Sequence, residues 1–432
     1  MKVFTKITKV APLFVATFLV SILVSTGWAG ITPLTLEQGI QIALDNNHGL
    51  QAASKSVTSA KEGIVEARAG FLPTMRLESS CIKLDEAPSF GVMTMGDDVI
   101  YDAKGVVTQP LFTGGKLSSA YKLALSNYNL AEYGYERVQN ELIFGVKGAY
   151  LCILKALKFQ QVAKDAVKQV EAHLRIVRNL YDAGINAKVD VLKCEVQLST
   201  VRQNLIKAEN MVSMAKAGFN QLLARELDTG VEVIDILEVT PCKINLDDCI
   251  KEAANSRPEL KQMKAAIEML RQMVTIAESD NYPSVAGIGN YDYQKGRQSE
   301  IEWKGSWLAG IMVNFTLWDG NARKSRINQA EANLEAVYAQ QLNLSDGIAL
   351  EVKQAYLSLS EAEKNIEVAH GAIGQAEEGL RITEEMYKEG CATNTDVLDS
   401  QTMLTQVKTN YYQALYDYNL ARARLQKAVG GR

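Results

Sequence analysis

Residues able to do chemistry are thinly spread along this chain. Its only histidines, His48, His173 and His370, are far apart in sequence, and His173 sits beside an apolar helical stripe, so satisfied surface or packing roles are expected rather than ligation. The six cysteines, Cys81, Cys152, Cys194, Cys242, Cys249 and Cys391, lack C-x-x-C spacing, and most fall at apolar positions as small core residues. Cys242 and Cys249 are close enough in sequence to bridge in an oxidising compartment, although spacing alone does not settle the geometry. Gly114-Gly115-Lys116 has the outline of a phosphate loop, but Pro110 and Leu117 stand where its first glycine and its Ser/Thr belong. Asp396 and Asp399 lie one helical turn apart on one face, which as residues alone reads as a helix-start charge and a solvated one. These residues offer neither a catalytic constellation nor a cofactor or metal site.

The start of the chain says where it goes. Lys2, Lys6 and Lys9, an apolar run from Val10 to Val24 and the small-residue site Gly27-Trp28-Ala29 predict a cleavable secretory signal over residues 1–29. The run is too short for a spanning helix, and no later segment reaches the roughly 18 apolar residues one needs. No cysteine follows the signal directly, so an N-terminal lipid anchor is not expected. The full chain has a formal charge of −4, and losing three lysines with the signal makes it more acidic, which argues against a nucleic-acid partner.

What positions the remaining residues is a tandem repeat. Tyr181, Gly184 and Asp190-Val191-Leu192 recur 206 positions on as Tyr387, Gly390 and Asp396-Val397-Leu398. Earlier in each half the offset is 210, with Leu36, Ile40, Ala43, Leu50 and Pro73 answered by Leu246, Ile250, Ala253, Leu260 and Pro283. The first half therefore carries four extra residues, placed between Pro73 and Leu111 as a loop insertion. The repeats are expected at 30–235 and 236–432, and a repeat of this size points to an assembled architecture.

Lys116 to Ala183 and Asn321 to Glu389 contain no proline, and each can be one helix of about 100 Å at 1.5 Å per residue. Ile366, Ile373, Leu380 and Tyr387 recur every seven residues, with Ala369, Ala376 and Thr383 between them. The rule resumes beyond Gly390 with Val397, Leu404, Tyr411, Tyr418 and Leu425, and the first half repeats it through Val167, Leu174, Tyr181, Val191, Leu198, Leu205, Val212 and Phe219. These heptads predict two coiled-coil hairpins, over about 115–230 and 321–430. Gly184 and Gly390 suit the left-handed helix end, and Asp190 and Asp396 suit the first turn of the next helix.

Between Pro283 and Leu317 the period changes to two. Trp303, Gly305, Trp307, Ala309, Ile311, Val313, Phe315 and Leu317 form one face, with Lys304, Ser306, Asn314 and Thr316 on the other. Val285, Tyr291 and Tyr293 alternate likewise with Asn290, Asp292 and Gln294. In the first half, Met75, Leu77, Cys81, Val99, Tyr101, Ala103 and Val107 alternate with polar residues. Strand pairs are therefore expected at about 74–112 and 284–317. Apolar, aromatic-flanked strands of this length fit a transmembrane barrel, with Trp303, Trp307, Ile311, Val313 and Phe315 facing lipid. Four strands cannot close a barrel, so several copies of the chain are required.

Leu34-Thr35-Leu36-Glu37 with Ile40, Ala43, Leu44, Asn46, Asn47 and Leu50 resembles the opening signature of the TolC-like outer-membrane factor family. Gly390 to Asp399 is similar to that family's second periplasmic tip. Residues 109–115 and 314–320 resemble its strand-to-helix junctions. The resemblance spans the mature chain. It implies an α+β membrane protein in the outer membrane of a Gram-negative bacterium, with a large periplasmic part. In it, a homotrimer forms a 12-stranded β-barrel continuous with an α-helical periplasmic tunnel.

By the same resemblance the protein is the passive exit duct of a tripartite efflux pump or type I secretion system. It would open when a periplasmic adaptor (membrane fusion) protein docks, and it would serve an inner-membrane transporter of RND, ABC or MFS type. Asp396 and Asp399 match aspartate rings that narrow the entrance. The tips with Gly184, Asn186, Lys188, Asp190, Gly390, Ala392 and Asn394 match adaptor-docking sites. Ala392 stands where the family has an arginine that helps to close the entrance. The competing reading is a periplasmic coiled-coil adaptor without its own pore, which would carry one hairpin and globular β domains rather than two hairpins and two strand pairs.

Overall fold

The computed structural model describes residues 33–431 apart from 88, 91–92, 95, 240–243 and 298–301, and it shows one structural plan used twice. The secretory signal expected at 1–29 lies outside the described residues, as does Cys242, one half of the bridge considered with Cys249. The first copy comprises α1 (Leu36–Asn46), α2 (His48–Ala69), β1 (Thr74–Lys83), β2 (Ser89–Phe90), β3 (Met93–Thr94), β4 (Gly96–Phe112), α3 (Lys116–Asp182) and α4 (Lys188–Leu222). The second comprises α5 (Leu246–Ser256), α6 (Pro258–Ser279), β5 (Ser284–Arg297), β6 (Lys304–Asn314), α7 (Ala322–Lys388) and α8 (Asn394–Val429). Corresponding helices agree in length, at 11 residues for α1 and α5, 22 for α2 and α6, and 67 for α3 and α7. The short hairpin β2–β3 lies inside the interval that holds the four extra residues.

Local chemistry starts and stops these helices. Thr35 and Gln38 form a capping box at α1, where the Thr35 hydroxyl accepts from the Gln38 backbone N–H at 3.2 Å and the Gln38 carbonyl oxygen accepts from the Thr35 N–H at 3.0 Å. Pro258 occupies the first turn of α6, where its missing N–H costs nothing. Between β4 and α3 the backbone turns at Gly114, φ +61°, and a Cβ there would stand 2.6 Å from the Ser279 carbonyl oxygen. Only glycine fits.

Along the hairpins the heptad positions are inside. Ile366, Leu380, Val397, Leu404, Tyr418, Leu425, Leu174, Leu198, Val212 and Phe219 are all buried, with Ala414, Ala421 and Ala428 closing the seam of α8. Val167, Val191, Leu205, Ile373, Tyr387 and Tyr411 are half-buried, and Tyr181, in the last turn of α3, is 41% exposed. The first hairpin is also shorter than its heptads suggested. It ends at Leu222, where the chain turns through Ala224 at φ +53° and the Asn220 amide donates to the carbonyls of Leu227 and Thr229 at 3.0 and 2.8 Å.

The linker after α4 then returns to the start of the chain. Leu34 bridges Val233, and the buried Tyr150 hydroxyl lies 3.0 Å from the Leu34 carbonyl and 2.9 Å from both the N–H and the carbonyl of Ile234. One phenol thus ties α3 to both strands of that bridge.

The four long strands form one antiparallel sheet in the order β1-β4-β5-β6. The register pairs Leu77 with Gly105, Gly105 with Tyr291 and Tyr291 with Trp307, and it aligns Val285 with Val313. The expected apolar positions that lie within the strands therefore do share one face, while Trp303 stands one residue before β6. β6 ends at Asn314, so Phe315 and Leu317 follow the strand rather than belong to it.

Candidate functional site

Two regions of the fold bear on function, the sheet at one end of the long helices and the paired hairpin turns at the other. In the sheet, Trp307, Ile311 and Val313 point out on the apolar face, with Trp307 78% exposed. At one end of that face the Trp303 ring stacks on Tyr293, centroids 4.9 Å apart and planes 11° from parallel, and touches Tyr101 at 6.0 Å. Phe112 and Phe315 mark the other end, so an apolar band is bounded by aromatic residues on both sides.

The opposite face is polar in the half away from the helices. There Glu78 is registered with Lys104 and Lys104 with Asp292, the last pair 3.7 Å apart, and Asp292 is registered with Ser306. Nearer the helices the same face carries Val106, Ile288, Leu308 and Met312, so its polarity is less continuous than strict alternation would give. Both β1 and β6 are exposed along their whole lengths.

At the far end the two turns share one construction. Gly184 and Gly390 take φ +80° and +74°, as their positions required. The N–H of Ile185 reaches back to the Leu180 carbonyl at 2.8 Å, and that of Cys391 to the Met386 carbonyl at 2.7 Å, closing a Schellman turn on each helix. They differ in how the next helix begins. Ala187 gives α4 no side-chain cap, whereas Thr393 and Asp396 form a capping box on α8.

Asp396 accepts from both the Thr393 hydroxyl at 2.7 Å and its backbone N–H at 2.8 Å. These two donors, the hydroxyl first, hold its carboxyl below the ordinary carboxylate range. Asp396 and Asp399 are both exposed, and the lowering of the Asp396 pKa comes from the Thr393 hydrogen bonds rather than from a cation among the described residues. Lys188, Gly184 and Gly390 are exposed, while Ala392 is half-buried.

Asn186, Asp190 and Asn394 are less available than a surface tip suggests. Asn186 is half-buried and donates to the Tyr387 hydroxyl at 2.7 Å. Asp190 is half-buried at the first turn of α4. Asn394 is only 4% exposed, its amide turned toward the first hairpin. His173, expected in a surface or packing role, and Cys194, expected as a small core residue, are the residues it meets. Nothing in a one-dimensional reading joins residues about two hundred positions apart.

A protein with a band-bearing four-stranded sheet at one end and two very long helical hairpins at the other has the form of an outer-membrane channel with a helical tunnel. The comparisons agree. Residues 39–225 and 249–431 match the family described as "Outer membrane efflux protein", and the chain belongs to that family. It is 24% identical to Outer membrane protein TolC of Salmonella enteritidis over 95% of this chain and 86% of that one. It is 25% identical to Protein CyaE of Bordetella pertussis over 85% and 78%. Among solved structures, the fold is similar to that of the outer membrane protein VceC from Vibrio cholerae, at TM-score 0.79 and 18% identity over 92% of this chain and 96% of that one. The protein is an outer-membrane exit duct.

Proposed function

We propose that three copies of the chain join their sheets into one twelve-stranded barrel and their hairpins into a periplasmic tunnel. The observation that carries this is the state of the sheet's edges. β1 and β6 are exposed throughout and run in opposite directions, so β6 of one copy can pair antiparallel with β1 of the next. Repeating that step three times gives an even-stranded antiparallel barrel with no free edge, apolar outside and polar within over the half away from the helices.

The tips then become the entrance. Three copies of Asp396 and Asp399 would gather six exposed carboxylates in a narrow bore, favouring cations and binding multivalent ones. A periplasmic adaptor would dock on the exposed turn residues Gly184, Lys188 and Gly390 and the half-buried Ala392 beside them, coupling the duct to an inner-membrane transporter. Transport through the duct is passive, with no catalytic step in this chain.

The test is single-channel conductance of the purified protein in a planar bilayer at low salt, with and without a trivalent cation, alongside electrophoresis of unheated samples. A heat-labile trimer giving small cation-selective openings, blocked from one side, supports the reading. A monomer that neither inserts nor conducts overturns it.

A further inference from the structure

Asn394 is the first residue of α8, yet its side chain is satisfied entirely by the other hairpin. Its Oδ1 faces Nε2 of His173 on α3 at 2.8 Å and accepts from Sγ of Cys194 on α4 at 3.1 Å, and its Nδ2 donates to the Asp190 carbonyl at 3.3 Å. His173 is 4% exposed and lies edge-on to the Tyr387 ring of α7, centroids 5.2 Å apart. Four helices therefore meet at one buried polar point, beside the apolar cluster of Val170, Leu174, Val177, Leu198 and Leu398.

We propose that His173, Asn394 and Cys194 form a protonation-sensitive clasp that holds the tip of the second hairpin against the first and loosens when His173 takes up a proton. The proposal rests on the reading of these tips as the duct's entrance. In the closed arrangement the amide oxygen of Asn394 needs a donor, so the neutral ring is assigned with its proton on Nε2. A second proton would place a whole charge where water does not reach.

The titratable groups facing the ring are Glu384 and Tyr387 of α7; Cys194 of α4 shares the Asn394 oxygen with it, Asp190 of α4 acts on Cys194 and Tyr387, and α8 contributes the neutral Asn394 amide. Burial is the largest influence on His173 and outweighs both the Asn394 hydrogen bond and the attraction of Glu384, so its pKa lies below the usual 6.5. The neutral ring thus supports the clasp fully above pH 6.5, and that support is lost as the pH falls through the lowered value. Once the tips separate, the ring regains water and binds its proton more readily. Protons therefore favour the open arrangement, by at most about tenfold per pH unit for one proton per protomer.

The experiment measures the distance between the two tips in the purified full-length protein. Spin labels are placed at Cys391 and at Ile185→Cys, both exposed, with Cys81, Cys152 and Cys242 replaced by serine and labelled protomers diluted with unlabelled ones. Between pH 7.5 and 5.5, above the ordinary carboxylate range, the parent protein should gain a longer-distance population several-fold. His173→Gln, whose amide can still donate to Asn394 but cannot be charged, should stay short at both pH values. Asn394→Ala should be long at both.

A parent distance that ignores pH, or a pH response that persists in His173→Gln, overturns the clasp. If Asn394→Ala does not fold, the glutamine comparison decides alone. Conductance recorded on the same samples separates the two readings, since tips that part with no change in current refute the placement of the entrance and leave the clasp standing.

Discussion

The hydroxyl of Tyr387 at the end of α7 accepts a hydrogen bond from the side chain of Asn186 in the other tip, at 2.7 Å across 201 residues of sequence. It is another tie between the hairpins, made through atoms other than those of the His173–Asn394 contact. Burial, partly offset by that bond, raises the Tyr387 pKa above its usual 10, so the tie persists through the neutral range.

Tyr387→Phe removes the acceptor and leaves the Asn186 amide half-buried without it. The cost is expected at about 1 kcal/mol. It should appear as a higher resting conductance at neutral pH with an unchanged trimer, which paired bilayer recordings and electrophoresis would detect. Resting conductance equal to the parent's would remove this contact from the closing of the entrance.

Asp396 has two jobs that substitution can separate. Asp396→Asn keeps an oxygen for the Thr393 donors and removes the charge, as Asp399→Asn does at an exposed position. The double asparagine variant should therefore lose cation preference and multivalent block while melting between the parent and Asp396→Ala, since the oxygen stays and the charge does not. Asp396→Ala should lose both and melt lower. Because the Asp396 carboxyl is held below its ordinary 3.8, its support of α8 is present above that value and is lost as pH falls through the lowered one. Reversal potentials and thermal melts distinguish the variants.

Arg257 is a buried clamp far from the tips. Its guanidinium donates to the Ala428 carbonyl at 3.2 Å, to Glu351 at 2.8 Å and to Glu259 at 2.9 Å, joining the α5–α6 junction to α7 and the end of α8. Arg257→Met strands these acceptors and is expected to cost about 3 kcal/mol, read from denaturant unfolding. Arg257→Lys should recover little of it, since one ammonium cannot span the three groups. Full recovery with lysine would show that charge alone matters here.

Trp307 and Leu308 are neighbours on opposite faces of β6, both exposed in the single chain. Trp307→Lys puts a charge on the face read as meeting lipid and is expected to cost about 2–4 kcal/mol if it lies near the bilayer midplane. Leu308→Lys, on the lumen side, should fold into vesicles nearly as well as the parent. Equal losses for the two would mean the faces are assigned wrongly.

How much of this was legible in the sequence depended on the range over which each signal acts. The proline-free runs and heptads mark α3 and α7 to within a residue or two, because helix periodicity is local and long helices repeat it many times. Alternation marked the sheet's apolar face, since register carries every second residue with it. The stop of α4 at Leu222 was missed because Asn220 reaches forward to loop carbonyls that no periodicity reveals. Asn394 resembled a surface turn residue, and only the meeting of two hairpins turns it inward. His173, Cys194 and Arg257 were read as packing or not at all, because their partners lie far away in the chain.

The matched lengths of the two halves invite a picture of six interchangeable staves around one axis. The tips deny it. Along the same 206-residue offset, His173 corresponds to Gly379, Asn394 to Lys188 and Asp399 to Lys193. The first copy carries the imidazole and two lysines, and the second the glycine, the amide and the second carboxylate. A ring of three chains would thus alternate clasped joints within each chain with joints of another kind between chains. Its motion would be threefold, not sixfold, in symmetry.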